Sequence, residues 1–83
     1  MIQFTLYSRS YCHLCDDMLV HLQALKAEQP FSIEVIDVDT NPTLLAQFDE
    51  LVPVLFGKKP DREPKQLCHY FLDVAQVEAF LHD

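Results

Sequence analysis

The sequence predicts a single α/β domain in which a four-stranded mixed sheet is flanked by helices on both faces. Segments of alternating or β-branched apolar residues are interleaved with segments of 3.6-residue apolar spacing, in the order βαβαββα. The last two strands are separated by a loop alone, which indicates a hairpin. The 83 residues are 49% hydrophobic, enough for one small packed core, so residues 1–83 are assigned to one domain.

The first half of the chain begins with a strand, a helix and a second strand. Apolar and polar residues alternate over residues 2–7, which predicts a strand. Apolar side chains at helical spacing predict an amphipathic helix over residues 13–28, and Pro30 marks its end. The β-branched run over residues 32–38 predicts the second strand. Because Ile36 breaks its alternation, this strand is expected to be buried on both faces, as an inner or parallel strand is.

The second half begins with a short helix, predicted over residues 42–50, which Asn41-Pro42 starts by combining a capping side chain with a proline at the first helical position. A third strand is predicted over residues 53–56, because proline suits the first residue of a strand. A polar loop from Lys58 to Lys65 then leads to a last strand over residues 66–71.

A final helix is predicted to begin at Asp73, with Gln76 at the capping-box position and Leu72 and Val77 placed as a hydrophobic staple. Helices join the first three strands, which implies right-handed crossovers and parallel pairing of the first strand with its neighbours.

Charge and composition exclude several function classes. Six basic and 13 acidic residues give a formal net charge of −7, which disfavours nucleic acid and anionic membrane surfaces as partners. No apolar run reaches the ~20 residues of a membrane span, and the first residues lack signal-peptide features. Three cysteines are too few for a stapled secreted scaffold. We therefore expect a monomer in the reducing cytoplasm.

The Cys12-His13-Leu14-Cys15 motif is the strongest chemical signal. Cys12 lies where the first helix begins, and free backbone N–H groups with the helix dipole favour a thiolate there, which predicts a lowered pKa for this thiol. Cys15 is one helical turn on, within reach of a disulfide. Cys12 is expected to attack a substrate disulfide, and Cys15 to release the product. His13 and Arg9 are expected to favour the Cys12 thiolate, whereas Asp16 and Asp17 oppose it.

Residues Tyr7–Cys15 (YSRSYCHLC) resemble the active-site stretch of glutaredoxins. Asp37-Val38-Asp39 with Asn41-Pro42 is similar to the end of that family's second strand, and Leu51-Val52-Pro53-Val54 to its cis-proline segment. The resemblance covers essentially the whole chain and is greatest to short bacterial glutaredoxin-like proteins. It implies a thioredoxin-like fold and a thiol–disulfide oxidoreductase acting in electron transfer and cell redox homeostasis.

The resemblance also implies which residues meet the substrate. A cis bond before Pro53 would lie against the two cysteines and direct the Val52 backbone N–H and C=O to an extended substrate. The predicted substrate-binding residues are Arg9, Tyr11, His13, Leu14, Val52, Pro53 and Asp73. The substrate class is a protein or small-molecule disulfide. No cofactor is predicted. Glutathione as co-substrate stays open, because the family's Gly-Gly pair is missing and only Asp73 is placed to pair with an ammonium group.

The alternative is a non-catalytic interaction or metal-binding module. Structural zinc needs four ligands, and the candidates are Cys12, Cys15, Cys68 and a histidine. Because Cys68 and His69 alternate on a strand, they are expected to face opposite ways, and no metal site is predicted. Cys68 is expected to be a small buried hydrophobe rather than a regulatory thiol.

Overall fold

The computed structural model describes residues 1–25 and 30–82, and it has the predicted βαβαββα order. The elements are β1 (Ile2–Ser8), α1 (His13–Gln23), β2 (Phe31–Asp37), α2 (Pro42–Phe48), β3 (Val54–Lys58), β4 (Lys65–His69) and α3 (Val74–His82), with a 3₁₀ helix over Val38–Thr40. The predicted α/β fold class is confirmed, with four strands in one mixed sheet and three α-helices among the described residues.

Several predicted boundaries were wrong by a few residues. The helix predicted over residues 13–28 ends at Gln23, and residues 26–28 of that prediction lie outside the described residues. The helix predicted over residues 42–50 ends at Phe48. Lys58 and Lys65 were predicted in a loop, but Lys58 is the last residue of β3 and Lys65 the first of β4.

The last strand ends before Tyr70 instead of at Phe71 because the Tyr70 backbone turns into the left-handed region, with φ of 65°. The third strand begins at Val54, one residue after Pro53. These shifts leave Tyr70 and Phe71 outside the sheet, where they contribute to the candidate site described below.

The strand order is β2-β1-β3-β4, with β1 parallel to β2 and antiparallel to β3. The prediction that β1 pairs in parallel with both neighbours was therefore wrong for β3. The seven residues of α2 span only ~10 Å and do not carry the chain back along the ~20 Å of a seven-residue strand. The chain stays at the end of the sheet where β2 stops, and β3 enters there, opposite Tyr7.

β2 pairs in parallel as expected, but it is an edge strand and not an inner one. Val35 is 48% exposed, so burial on both faces is also wrong for this strand. Ile33 and Ile36 are both partly buried. Their burial accounts for the break in alternation, so a further strand beside β2 is not needed to explain it.

Two apolar clusters lie on opposite faces of the sheet, as the prediction of helices on both faces requires. Alternate residues of β1 divide between them: Phe4 and Leu6 belong to the larger cluster, and Tyr7 to the smaller. The larger cluster also contains residues of α1 and α3, and it comprises Ile2, Phe4, Leu6, Met18, Leu22, Leu55, Leu67, Val77 and Phe80. The smaller cluster, on the α2 face, comprises Val38, Phe48 and Val54.

The topology brings several segment ends together at one end of the sheet, where β1, β2 and β4 stop and α1, α2, β3 and α3 start. We call this the Ser8 end, after the last residue of β1. The β3–β4 loop lies at the opposite end, because Lys58 pairs with Gln3. The predicted functional residues all belong to segments that meet at the Ser8 end.

Candidate active site

The first helix begins at Cys12, whose side chain is its N-cap. The Cys15 backbone N–H donates to the Cys12 Sγ atom over 3.1 Å, and the Asp16 N–H donates to the Cys12 carbonyl. Tyr11 just before it has φ of 60°, a left-handed conformation that costs a non-glycine residue about 1–3 kcal/mol. This turn redirects the chain from the strand into the helix, so that the sulfur faces the free N–H groups of the first turn.

Cys12 and Cys15 form a disulfide, with their Cα atoms 5.2 Å apart. Cys15 is buried, with 3% of its surface exposed, whereas Cys12 is only half-buried. The two sulfurs are therefore unequal: the one at the helix start is accessible to another molecule, and the one inside the first turn faces the core. A dithiol with this asymmetry can exchange with an external disulfide in two steps.

Arg9, predicted to tune the Cys12 thiolate, is ion-paired with two carboxylates. Its guanidinium lies 3.0 Å from Asp39 and 3.1 Å from Asp49, joining the end of β1 to the 3₁₀ helix and to the end of α2. The hydrogen bond to Asp39 is the main reason that the pKa of Arg9 is raised. Ser10 adds a contact by donating to Asp37 over 3.2 Å. These contacts indicate that Arg9 fixes the loop before Cys12. Its predicted effect on the Cys12 thiolate stays a prediction.

The Val52–Pro53 peptide bond is cis, and Tyr70 holds the segment around it with two hydrogen bonds. The Tyr70 backbone N–H donates to the Pro53 carbonyl and its hydroxyl to the Glu50 carbonyl, both over 2.8 Å. The Val52 side chain packs against the smaller apolar cluster. Sequence reasoning missed Tyr70, which it placed inside a strand; a hydrogen bond to a carbonyl 20 residues earlier leaves no sequence pattern.

We predict that Tyr70→Phe raises the KM for a peptide disulfide by about 3–10-fold and lowers the free energy of unfolding by about 0.5–1.5 kcal/mol, the net value of one hydrogen bond. The substitution keeps the ring and the backbone bond to Pro53, so only the Glu50 anchor is lost. Steady-state kinetics and urea unfolding check this. Tyr7→Phe is the matched control, since its ring is held by stacking on Phe48 at 4.6 Å. Equal KM values for Tyr70→Phe and the parent chain would contradict the prediction.

Three further predicted site residues lie around the start of α1. Tyr11 is fully exposed, and His13 and Leu14 are exposed on the first turn. Leu14 lines a groove with Phe71, which the sequence analysis had placed in a strand. Phe71 is 68% exposed, an unusual position for so large an apolar side chain.

Asp73, predicted to bind a substrate ammonium, caps the third helix. Its carboxylate accepts the Gln76 N–H over 3.1 Å, and its carbonyl accepts the Val77 N–H over 3.0 Å. The predicted helix cap is therefore confirmed. The carboxylate retains accepting capacity beyond this one bond, so its predicted binding role stays a prediction.

Cys68 is a half-buried free thiol on β4, outside the disulfide. Burial is the main reason that its pKa is raised. The neighbouring Asp73 acts in both directions, because its backbone N–H lowers the pKa and its carboxylate raises it.

We predict that iodoacetamide modifies Cys68 more slowly than Cys12 at pH 7 in the reduced protein, because a raised pKa keeps Cys68 protonated and only thiolates react. The Cys68 rate should climb as the pH rises through this raised pKa. Mass spectrometry of quenched samples measures both sites, and the guanidinium-unfolded chain is the control in which the difference should vanish. Labelling of Cys68 first in the folded protein would refute this.

Within residues 1–25 and 30–82, no three histidine, cysteine or carboxylate side chains are grouped so that they could hold a metal ion. In these ranges every helix is too short or too polar to span a membrane.

The sequence profile of the glutaredoxin-like domain family (DUF836) matches residues 3–82. Among solved structures, the chain is similar to protein Ne2328 from Nitrosomonas europaea, with 40% identity, a TM-score of 0.81, and coverage of 96% of this chain and 91% of that one. The target protein XcR50 from X. campestris is 27% identical, with a TM-score of 0.57 and 95% of each chain covered.

Mitochondrial thioredoxin 3 from Saccharomyces cerevisiae, in its oxidized form, shares the fold at 17% identity and a TM-score of 0.70, with 99% of this chain and 77% of that one covered. The search among curated proteins found no match.

Proposed function

Because the chain belongs to the glutaredoxin-like domain family (DUF836), we propose that it is a thiol–disulfide oxidoreductase with Cys12 as nucleophile and Cys15 as resolving thiol. The observation that carries this proposal is the Cys12–Cys15 disulfide, in which an accessible sulfur at a helix start is joined to a buried one. The family membership and the thioredoxin-like fold support a redox function in general; the roles of individual residues are our assignment.

The proposed reaction is a two-step exchange in which two electrons pass from the protein to the substrate. The Cys12 thiolate attacks one sulfur of the substrate disulfide, forming a mixed disulfide and expelling the other sulfur as a thiolate. Cys15 then loses its proton and attacks the Cys12 sulfur, which forms the Cys12–Cys15 disulfide and releases the second thiolate. The two leaving thiolates take up the two protons that the dithiol has lost.

The helix start supports the first step in a specific way. The Cys15 N–H that reaches the Cys12 sulfur over 3.1 Å is a donor suited to a thiolate, and the positive end of the α1 dipole adds to it. Both effects favour the charged form, so we expect the pKa of the reduced Cys12 thiol to lie below its ordinary value of ~8.5. His13 is proposed to contribute when it is protonated.

The segment of Val52 and Pro53 is proposed to position the substrate. An extended peptide could pair with the Val52 backbone as an added strand, with Tyr70 holding the segment in place. A protein disulfide is the proposed substrate class, and a monomer in a reducing cytoplasmic environment is the proposed working form. Two electron donors are proposed for the reduction of the Cys12–Cys15 disulfide back to the dithiol: glutathione or a thioredoxin reductase.

The test is turnover of bis(2-hydroxyethyl) disulfide by the full chain, with oxidised protein supplied either with glutathione and its reductase or with a thioredoxin reductase. We expect one of the two donors to sustain NADPH consumption, which identifies the donor. A redox titration should also show one reversible two-electron couple. If the pair is not reduced by dithiothreitol, or if the reduced protein leaves the small disulfide unchanged, the proposal fails and a non-catalytic module remains.

A further inference from the structure

A groove lies between α1 and the segment that follows β4, beside the redox pair. Its apolar and aromatic lining consists of Leu14, Met18, Tyr70, Phe71 and Leu72, and Asp17 and His21 line it as well. We call it the Leu14–Phe71 groove. Leu14 lies between the two cysteines in sequence, and Tyr70 is hydrogen-bonded to Pro53, so two of the lining residues adjoin the redox motif and the proposed substrate-positioning segment.

The lining indicates an apolar occupant of limited size. Met18 is buried at the base, while Leu14, Tyr70 and Phe71 are 36%, 38% and 68% exposed. Contiguous exposed apolar side chains of this kind mark interaction sites on soluble proteins. The groove volume of about 210 Å³ is below the ~300–1,000 Å³ of typical small-molecule pockets, and it suits a single large side chain of an extended peptide.

The charges around the groove indicate what stands next to that apolar side chain. The segments that meet at the Ser8 end carry a group of carboxylates: Asp16, Asp17, Asp37, Asp39, Asp49, Glu50 and Asp73. Arg9 also lies there, but it is ion-paired with Asp39 and Asp49. The basic residues of the hairpin, Lys58, Lys59, Arg62 and Lys65, lie at the opposite end of the sheet.

A substrate that approaches the Ser8 end therefore meets a negative field. Glutathione is anionic at neutral pH because its carboxylates outnumber its ammonium group, so this field opposes the approach of its disulfide. A peptide that carries lysine or arginine is attracted instead, and Asp17 is placed on the groove itself to meet such a side chain.

We propose that the Leu14–Phe71 groove binds an extended segment of a protein disulfide, with a large apolar side chain next to its cysteine and a basic residue beside it. The inference rests on the proposed thiol–disulfide exchange and names its substrate class. The groove takes the apolar side chain, Asp17 pairs with the basic one, and the Cys12 sulfur receives the substrate disulfide.

The experiment measures the rate at which the reduced full chain cleaves short capped peptides that are joined through their cysteine to 2-mercaptoethanol. Three sequences are compared: Lys-Cys-Leu-Lys, Glu-Cys-Leu-Glu and Lys-Cys-Ala-Lys, with glutathione joined to the same leaving group as a fourth substrate. At low salt, we expect the first peptide to react about 10-fold faster than each of the others. The lysine preference should shrink in about 0.5 M NaCl, while the leucine preference should persist.

Two variants assign the two preferences to the groove. Asp17→Asn should reduce the lysine-over-glutamate ratio by about 2–3-fold, since one of several carboxylates is neutralised. Phe71→Ser should reduce the leucine-over-alanine ratio and leave the charge ratio intact. Asp61→Asn removes the same charge from the exposed loop at the far end of the sheet, and both ratios should match those of the parent chain.

The outcomes separate this inference from the function on which it rests. Equal rates for the peptides, or fastest cleavage of the glutathione conjugate, overturn the groove assignment while bis(2-hydroxyethyl) disulfide is still reduced. An Asp17→Asn or Phe71→Ser protein with unchanged ratios also overturns it. If the small neutral disulfide is not reduced either, the thiol–disulfide exchange itself is refuted and the groove assignment falls with it.

Discussion

Cys12→Ser should lower disulfide turnover to the uncatalysed rate while the fold remains. Serine cannot form the mixed disulfide, so the first step is lost completely, whereas a serine hydroxyl still accepts an N–H at a helix N-cap. Turnover of bis(2-hydroxyethyl) disulfide measures the activity, and circular dichroism with urea unfolding checks the fold. The free energy of unfolding should be compared under reducing conditions, so that the disulfide makes no contribution in either protein.

Cys15→Ser complements Cys12→Ser, because it stops the reaction one step later. Its Cys12 thiolate should still attack, and a mixed disulfide with the peptide substrate should accumulate and be visible by mass spectrometry. Cys68→Ser is the matched control, since it removes the remaining thiol and should leave turnover unaltered. A trapped adduct at Cys68, or substantial activity in Cys12→Ser, would contradict the assignment of the nucleophile.

Gly57→Ala should destabilise the fold by about 1–3 kcal/mol, the usual cost of overpacking a core. A Cβ atom at this position would lie 2.7 and 2.8 Å from two ring carbons of Phe80 and 3.0 Å from a methyl group of Leu67. Alanine would otherwise be favoured over glycine in a strand by about 0.5–1 kcal/mol, so the steric conflict must outweigh this gain. The Phe80 ring has to move to relieve this contact.

Urea unfolding measures this loss as a lower midpoint at unchanged slope. Lys58→Ala, at the next position of β3, is the exposed control and should stay within about 0.5 kcal/mol of the parent chain. In a Phe80→Leu background, Gly57→Ala should lower the free energy of unfolding by less than it does in the parent chain. An unchanged midpoint for Gly57→Ala would mean that the contact with Phe80 is not tight.

Local patterns were sufficient for the order of elements and for the redox motif. Helical spacing after Leu14, the β-branched run before Asp37 and the Asn41-Pro42 start are each properties of a few neighbouring residues, and each predicted its element within a few positions. The position of Cys12 at the start of a helix followed in the same way, because the motif stands between a strand and an amphipathic segment.

Long-range geometry was the part that could not be predicted from these patterns. The direction of β3 depends on whether a 16-residue connection crosses the sheet, and the apolar spacing of α2 is the same in both cases. The ion pairs of Arg9 and the hydrogen bonds of Tyr70 join residues that are 17 to 40 positions apart. The Leu14–Phe71 groove depends on the left-handed backbone at Tyr70, and a tyrosine at that position does not predict a positive φ.

The central position of β1 has a consequence for synthesis on the ribosome. This strand is translated before the other strands of the sheet, yet Tyr7 pairs with Val54 and Gln3 with Lys58, on the order of 50 residues later. Because the closure of long loops precedes the gain from such contacts, a nascent chain that stops before β3 has an unsatisfied strand edge and an incomplete core. Cys12 and Cys15 are therefore translated long before β3 and β4, which complete the sheet beside them.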